Sequence, residues 1–226
     1  MIRIAIAAIT AVALNVLTHA AEPATPFDGK SLTGWKVKGD EKKSKWKVGV
    51  AAIDEKTPNK IVVKDGSGEL INSEGAGIDI SSEAKFGDCI IEVEVLVPKG
   101  SNSGIYVMGE YEVQVFDSFG KEKLGQGDMG AIYSAAAPKV NASKKPGEWQ
   151  KFVIDFQAPK FEGDKKVAKA KFIKVTLNDQ VIHENVEVEK ATGGALTGKE
   201  APTGPLMFQG DHGAVAFRNI KITPKK

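Results

Sequence analysis

The sequence predicts an all-β protein of the sandwich or barrel type. Three observations lead there. No segment sustains the apolar repeat of a helix, short runs of alternating apolar and polar residues recur, and Gly, Pro, Asn and Asp punctuate those runs. With 24 Gly and 10 Pro, the chain has turn chemistry enough to close each run.

The first element is not part of the fold. MIRIAIAAITAVALNVLTHA, residues 1–20, carries one early cation, Arg3, then an apolar run from Ile4 to Leu17, with small residues before Ala21. That is the pattern of a secretory signal peptide, too short and wrongly flanked for a membrane anchor. The expectation is an exported chain, periplasmic or extracellular, whose residues 21–226 form one domain free of the membrane once the signal is removed. No Cys follows the apolar run, so a lipoprotein anchor is not expected.

Strands follow near 35–38, 46–53, 60–64, 68–72, 89–97, 103–108, 110–117, 149–157, 168–177, 180–184, 205–209 and 214–222. LNDQVI, 177–182, reads as a tight hairpin turn joining two of them. Two longer stretches, 118–148 and 189–204, lack strand character. Loops of that length in a compact domain are usually functional or mobile.

Charge and cysteine content narrow the function. A net charge of +2 with Lys and Glu interspersed gives no electrostatic case for nucleic acid as a partner. The single Cys89 falls in phase with Ile91, Val93 and Val95, which marks a small buried hydrophobe rather than a nucleophile. GGALTGKE imitates a phosphate loop, but Glu200 stands where magnesium binding wants Ser or Thr, and Pro202 stops any helix. His183 and Glu184, near a hairpin end, read as surface.

GEYEVQVFDS, residues 109–118, asks for chemistry. Tyr111, Val113 and Val115 alternate with Glu110, Glu112 and Gln114, and Asp117 follows. Glu112 and Gln114 share a face by pleat; Asp117 joins them only if a residue such as Phe116 bulges out. Upstream, Tyr106 and Met108 take the outward face, with Ile105 and Val107 inward. An aromatic beside carboxylates suits a sugar; the plain alternative is a solvated strand face. Near the C-terminus, PLMFQGDHGAVAFRNIKI offers Gln209, Asp211 and His212 in a glycine-flanked corner, then Arg218 and Asn219. His212 is either a turn residue or a general acid or base. Trp149 reads as a strand-start anchor.

Four ordered segments, FDGKSLTGWK, GSNSGIYVMGEYEVQVFDS, GAIYSAAAPKVNASKKPGEWQKF and GPLMFQGDHGAVAFRNIKI, resemble the 3-keto-disaccharide hydrolase family from Phe27 to Ile222. The resemblance implies a concanavalin A-like jelly-roll sandwich of two antiparallel sheets. It also implies an enzyme that cleaves 3-keto-disaccharides or related 3-keto-glycosides by C2 proton abstraction, elimination and hydration. On that reading Glu112 or His212 is the base and Asp117 an acid or orienter. Gln114 and Gln209 donate to the sugar, Tyr106 is a stacking platform, and Asp211 and Arg218 complete the binding set. Similar sequences carry Arg where this chain has Met108. The sequence fixes no cofactor, and a divalent metal beside His212 is chemically possible. The alternatives are a carbohydrate-binding, lectin-like module and, third, a retaining glucanase.

Overall fold

The structure is a computed structural model and describes residues 22–225; the expected signal peptide lies outside the described residues. Fourteen strands run in chain order as β1 Trp35–Val37, β2 Trp46–Ile53, β3 Ile61–Asn72, β4 Ile80–Phe86, β5 Cys89–Leu96, β6 Asn102–Val107 and β7 Tyr111–Phe116. The second half follows as β8 Trp149–Gln157, β9 Lys160–Glu162, β10 Lys165–Ala168, β11 Ala170–Leu177, β12 Gln180–Val188, β13 Gly204–Phe208 and β14 Val215–Pro224. They build the expected antiparallel sandwich. One sheet has the order β1-β4-β13-β6-β7, the other β12-β11-β8-β5-β14-β3-β2, and β9 and β10 form a separate ribbon.

Alternation dictates the core. Cys89, Ile91, Val93 and Val95 of β5 face it from the large sheet, and Ile105, Val107, Tyr111, Val113 and Val115 of β6 and β7 face it from the small one. Burial pushes the Cys89 thiol up to about 12, which leaves it an inert packing group at neutral pH. An aromatic column crosses between the sheets. Trp35 stacks on Phe208 at 5.5 Å, Phe208 on Phe217 at 3.8 Å, and Phe217 meets Trp46 at 6.3 Å. Phe208 is the last residue of β13, so this packing fixes the point from which the Gln209–His212 corner departs.

Most expected strands are present. The 177–182 hairpin turns on Asn178 and Asp179, both at positive φ, as a two-residue primed turn requires. Three differences have physical reasons. The expected strands 60–64 and 68–72 are one strand, β3, kept continuous through Gly66 and Gly68 with a register shift opposite Gly49 and Val50. β4 and the β9–β10 ribbon were not expected. ISSEAKF carries too few apolar residues to announce a strand, and it forms because β1 and β13 pair with it on both sides. The ribbon is short and charged, and it turns at Gly163, a left-handed position.

Candidate active site

The outer face of the small sheet carries the site. β6 and β7 pair without a register shift from Asn102 opposite Phe116 to Val107 opposite Tyr111, which sets Tyr106 directly beside Glu112 and Gly104 beside Gln114. No bulge occurs at Phe116. Asp117 therefore leaves the sheet and does not join the row. Its carboxylate accepts from the Gly100 N–H at 2.8 Å and braces that turn.

The acid–amide face is not a solvated one. Glu110, Glu112 and Gln114 are all buried, because the two long loops fold over them. Segment 130–133 pairs with the free edge of β7. Gln114 N–H donates to Ala131 O, Gly130 N–H to Gln114 O, and Tyr133 N–H to Glu112 O, which satisfies an edge that would otherwise be bare. His183, read from sequence as surface, is buried beneath this segment with Nε2 2.8 Å from the Gly130 carbonyl. That partner accepts only, so Nε2 carries the proton, and burial holds the imidazole below its ordinary pKa.

The 189–204 loop is pinned against the small sheet. The buried Glu110 carboxylate accepts from Thr197 N–H at 3.1 Å, Thr197 Oγ1 at 2.6 Å and Gly198 N–H at 2.9 Å. The glycine-rich stretch that imitates a phosphate loop does cradle an acidic group, but it is the protein's own carboxyl. Thr192 Oγ1 accepts from Glu112 N–H at 3.0 Å, and Lys38 Nζ donates to the Gly194 and Ala195 carbonyls. Gly193 and Gly194 are thereby held over Tyr106. A Cβ on Gly194 would stand 2.5 Å from the Tyr106 hydroxyl, so this approach needs glycine.

The glycines flanking Asp211 and His212 have an equally local cause. Asn72, fully buried, donates through Nδ2 to the carbonyls of Gly210 and Gly213, each at 2.9 Å. Gly210 N–H donates to Asp79 Oδ1 at 3.0 Å. A Cβ at Gly210 would meet Ile78 O at 2.3 Å, and one at Gly213 would meet Ser101 Oγ at 2.3 Å. The corner is clamped between the 72–79 segment and the start of β6, with Ser103 Oγ donating to Gln209 O at 2.8 Å.

These elements enclose a hollow of about 170 Å³ lined by Asn102, Tyr106, Glu112, Gln114, Tyr133, Gly193, Gly194, Gln209 and His212. Residues about a hundred positions apart in the chain meet there. Asp211 does not line it, but its Oδ1 accepts from His212 Nδ1. A carboxylate only accepts, so Nδ1 carries a proton, and in the neutral imidazole Nε2 keeps its lone pair. Gly104 keeps the floor open, since a Cβ there would lie 2.4 Å from Glu112 Oε1.

Glu112 is 3 % exposed. Burial pushes its carboxyl up to about 8; the neighbouring Tyr106 hydroxyl pulls the other way, and the charges of Asp79 and Asp211 push it further up. It is largely protonated at neutral pH. Gln114 Nε2 donates to Asn102 Oδ1 at 2.8 Å, while Gln114 Oε1 is buried without a partner. A buried acceptor left open costs free energy, and a ligand hydroxyl is the natural group to meet it.

Besides Asp117, one expected member sits elsewhere and one has a different part. Arg218 lies on the outer face of the large sheet, stacked 4.0 Å over Trp149, with Nε 2.8 Å from Glu94. It follows Phe217 by one position, so the pleat turns it away from the core and from the small sheet. Tyr106 is only 1 % exposed; its ring face is covered, and its hydroxyl donates to Gly193 O at 3.0 Å. It is a hydrogen-bonding wall, not a stacking platform. Met108 occupies the β6–β7 turn at positive φ and packs in the core, so the position flagged as Arg in similar sequences does not line the hollow here. Asn102, Tyr133, Gly193 and Gly194 were not expected. Their only sequence signal is the length of the two loops that carry the last three.

Among the described residues no group of three or more His, Cys, Asp and Glu stands close enough to hold a metal ion. Asp211 is turned to its own neighbour. The hollow's lining offers one carboxylate, Glu112, and one imidazole, His212.

A profile of the 3-keto-α-glucoside-1,2-lyase-like domain matches residues 22–223. The chain belongs to this family, that of the 3-keto-disaccharide hydrolases. A 3-keto-disaccharide hydrolase of Bacteroides thetaiotaomicron is 30 % identical over 58 % of this chain. The chain spans about half the length of that relative, 51 %. A solved candidate glycosyl hydrolase of Parabacteroides distasonis is 28 % identical, with a TM-score of 0.68 over 90 % of this chain and 84 % of its own. A second from the same organism, 20 % identical at a TM-score of 0.63 over 90 % and 94 %, shares the fold.

Proposed function

We propose that the chain cleaves 3-keto-disaccharides or related 3-keto-glycosides by elimination across C1 and C2, followed by hydration. The observation that carries this is the pair of proton carriers in one hollow: a buried, protonated Glu112 and an exposed His212 whose proton is fixed on Nδ1 by Asp211. The family description, a 1,2-lyase-like domain, names the same two carbons.

A ketone at C3 acidifies the hydrogen on C2. His212 Nε2 takes that proton, and the electron pair moves onto the C3 oxygen as an enolate. When the ketone re-forms, the C1–C2 double bond forms, the C1–O bond breaks, and Glu112 gives its proton to the departing oxygen. Water then adds at C1 and a solvent-derived proton returns to C2, so the net change is hydrolysis. Gln114 Oε1 accepts from a sugar hydroxyl, and the Gln209 amide donates to the keto oxygen. The hollow's lining holds a single carboxylate, Glu112, where retaining glycoside hydrolysis needs two.

Glu112→Gln and His212→Asn test the pair. With folding intact, each lowers turnover of a 3-keto-disaccharide by roughly a hundredfold or more; full activity in either removes that residue from the scheme. Sugar binding by the wild-type chain with no turnover of any 3-keto substrate would instead favour a binding module.

A further inference from the structure

We infer that the leaving-group sugar lies in the cleft beyond His212, and that the next ring of a longer substrate stacks on Phe119. This rests on the proposed reading of the hollow. At about 170 Å³, well under the roughly 300 Å³ at which ligand pockets begin, the hollow holds one ring and not two. C2 lies beside His212, because His212 takes the C2 proton. C1 is bonded to C2, so the substituent on C1 leaves close to His212.

An open cleft lies there. It measures about 340 Å³, shares His212 with the hollow, and is walled by Asn59, Lys60, Glu74, Gly75 and the Gly100–Ser101 turn. An amide, an ammonium and a carboxylate around a short cleft suit a ring of hydroxyls, each wanting a donor or an acceptor. The walls are braced. Lys99 N–H donates to Pro58 O at 3.1 Å, and Asp117 holds Gly100. The same two segments, through Pro58 and Lys99, border a third cleft of about 490 Å³ that Phe119 lines together with Pro58 and Pro146. Phe119 is 49 % exposed, the most exposed of the large hydrophobic side chains among the described residues. An apolar ring with an open face, reached from the site along a polar track, is a pyranose platform.

The test compares kcat/KM for methyl 3-keto-glucoside, a 3-keto-disaccharide, and a trisaccharide with its 3-keto ring at the non-reducing end. Lys60→Ala lowers the disaccharide-to-methyl-glycoside preference about tenfold, the worth of a charged hydrogen bond. Phe119→Ala lowers the trisaccharide-to-disaccharide preference about fivefold, the worth of a ring contact. Preferences unchanged in both variants overturn the inference. Calorimetric binding of the same trisaccharide separates it from the catalytic reading. If the wild-type chain turns over no 3-keto substrate, weaker binding by Phe119→Ala keeps the cleft while the mechanism falls, and unchanged binding removes the cleft as well.

Discussion

Glu112 shows how one side chain carries a stability cost for its chemistry. Its folded pKa of about 8 lies above its ordinary value of 4.5. The folded state therefore holds a proton that the unfolded state gives up between those two values. Stability is fully present below about pH 4.5, falls as pH rises, and levels off above about 8. The total loss is on the order of 5 kcal/mol. Denaturant titration at pH 5 and pH 8 checks this: the wild-type chain weakens between the two, and Glu112→Gln, which cannot ionise, shows a much smaller drop. On the proposed mechanism the same proton sets the activity profile, with cleavage declining above about pH 8 as the acid form is lost. At this scale the sequence was legible where parity decides. Glu112 and Gln114 share a face because they are two apart. Asp117 failed because an odd offset needs a bulge, and the regular β6–β7 register has none.

At the scale of elements, the two long loops turn a strand face into a site. Their bonds to β7 bury Glu110, Glu112 and Gln114 on the side that alternation alone assigns to solvent. Glu110 is the clamp for one of them, with three bonds to Thr197 and Gly198. Glu110→Ala removes the acceptor and leaves those donors unpaired, costing about 2–3 kcal/mol. Faster hydrogen exchange across 189–204, with a raised KM, is the expected result; unchanged protection there would deny the clamp. Such loops give a sequence reader their length but not their course. Tyr133 and Gly193 acquire meaning only when their segments are laid over β7. β4 illustrates the same limit in a strand. Its ISSEAKF has little pattern of its own, and its pairing comes from neighbours distant in the chain.

For the whole molecule, the sandwich brings together groups that the chain keeps apart. The Trp35–Phe208–Phe217–Trp46 column ties the two sheets, and the Gln209–His212 corner leaves directly from it to face β7. The strands and the core were readable because apolar alternation is a property of the sequence itself. The meeting of His212 with Glu112 is a property of strand order, in which β13 lies beside β6 and β7, and alternation says nothing about that. Export belongs to this scale as well. We propose that the chain is secreted and processed before Ala21. Intact-mass measurement on protein from the periplasm or medium then gives residues 21–226, and a full-length mass in the cytoplasm would contradict it.

The most direct test of the central claim is to run the cleavage of a 3-keto-disaccharide in heavy water and read deuterium at C2 of the released keto sugar, against an enzyme-free control. Elimination and hydration across C1 and C2 place one solvent deuterium there per turnover, faster than background exchange. Cleavage that leaves the original hydrogen on C2 would contradict the account, whatever Glu112 and His212 contribute.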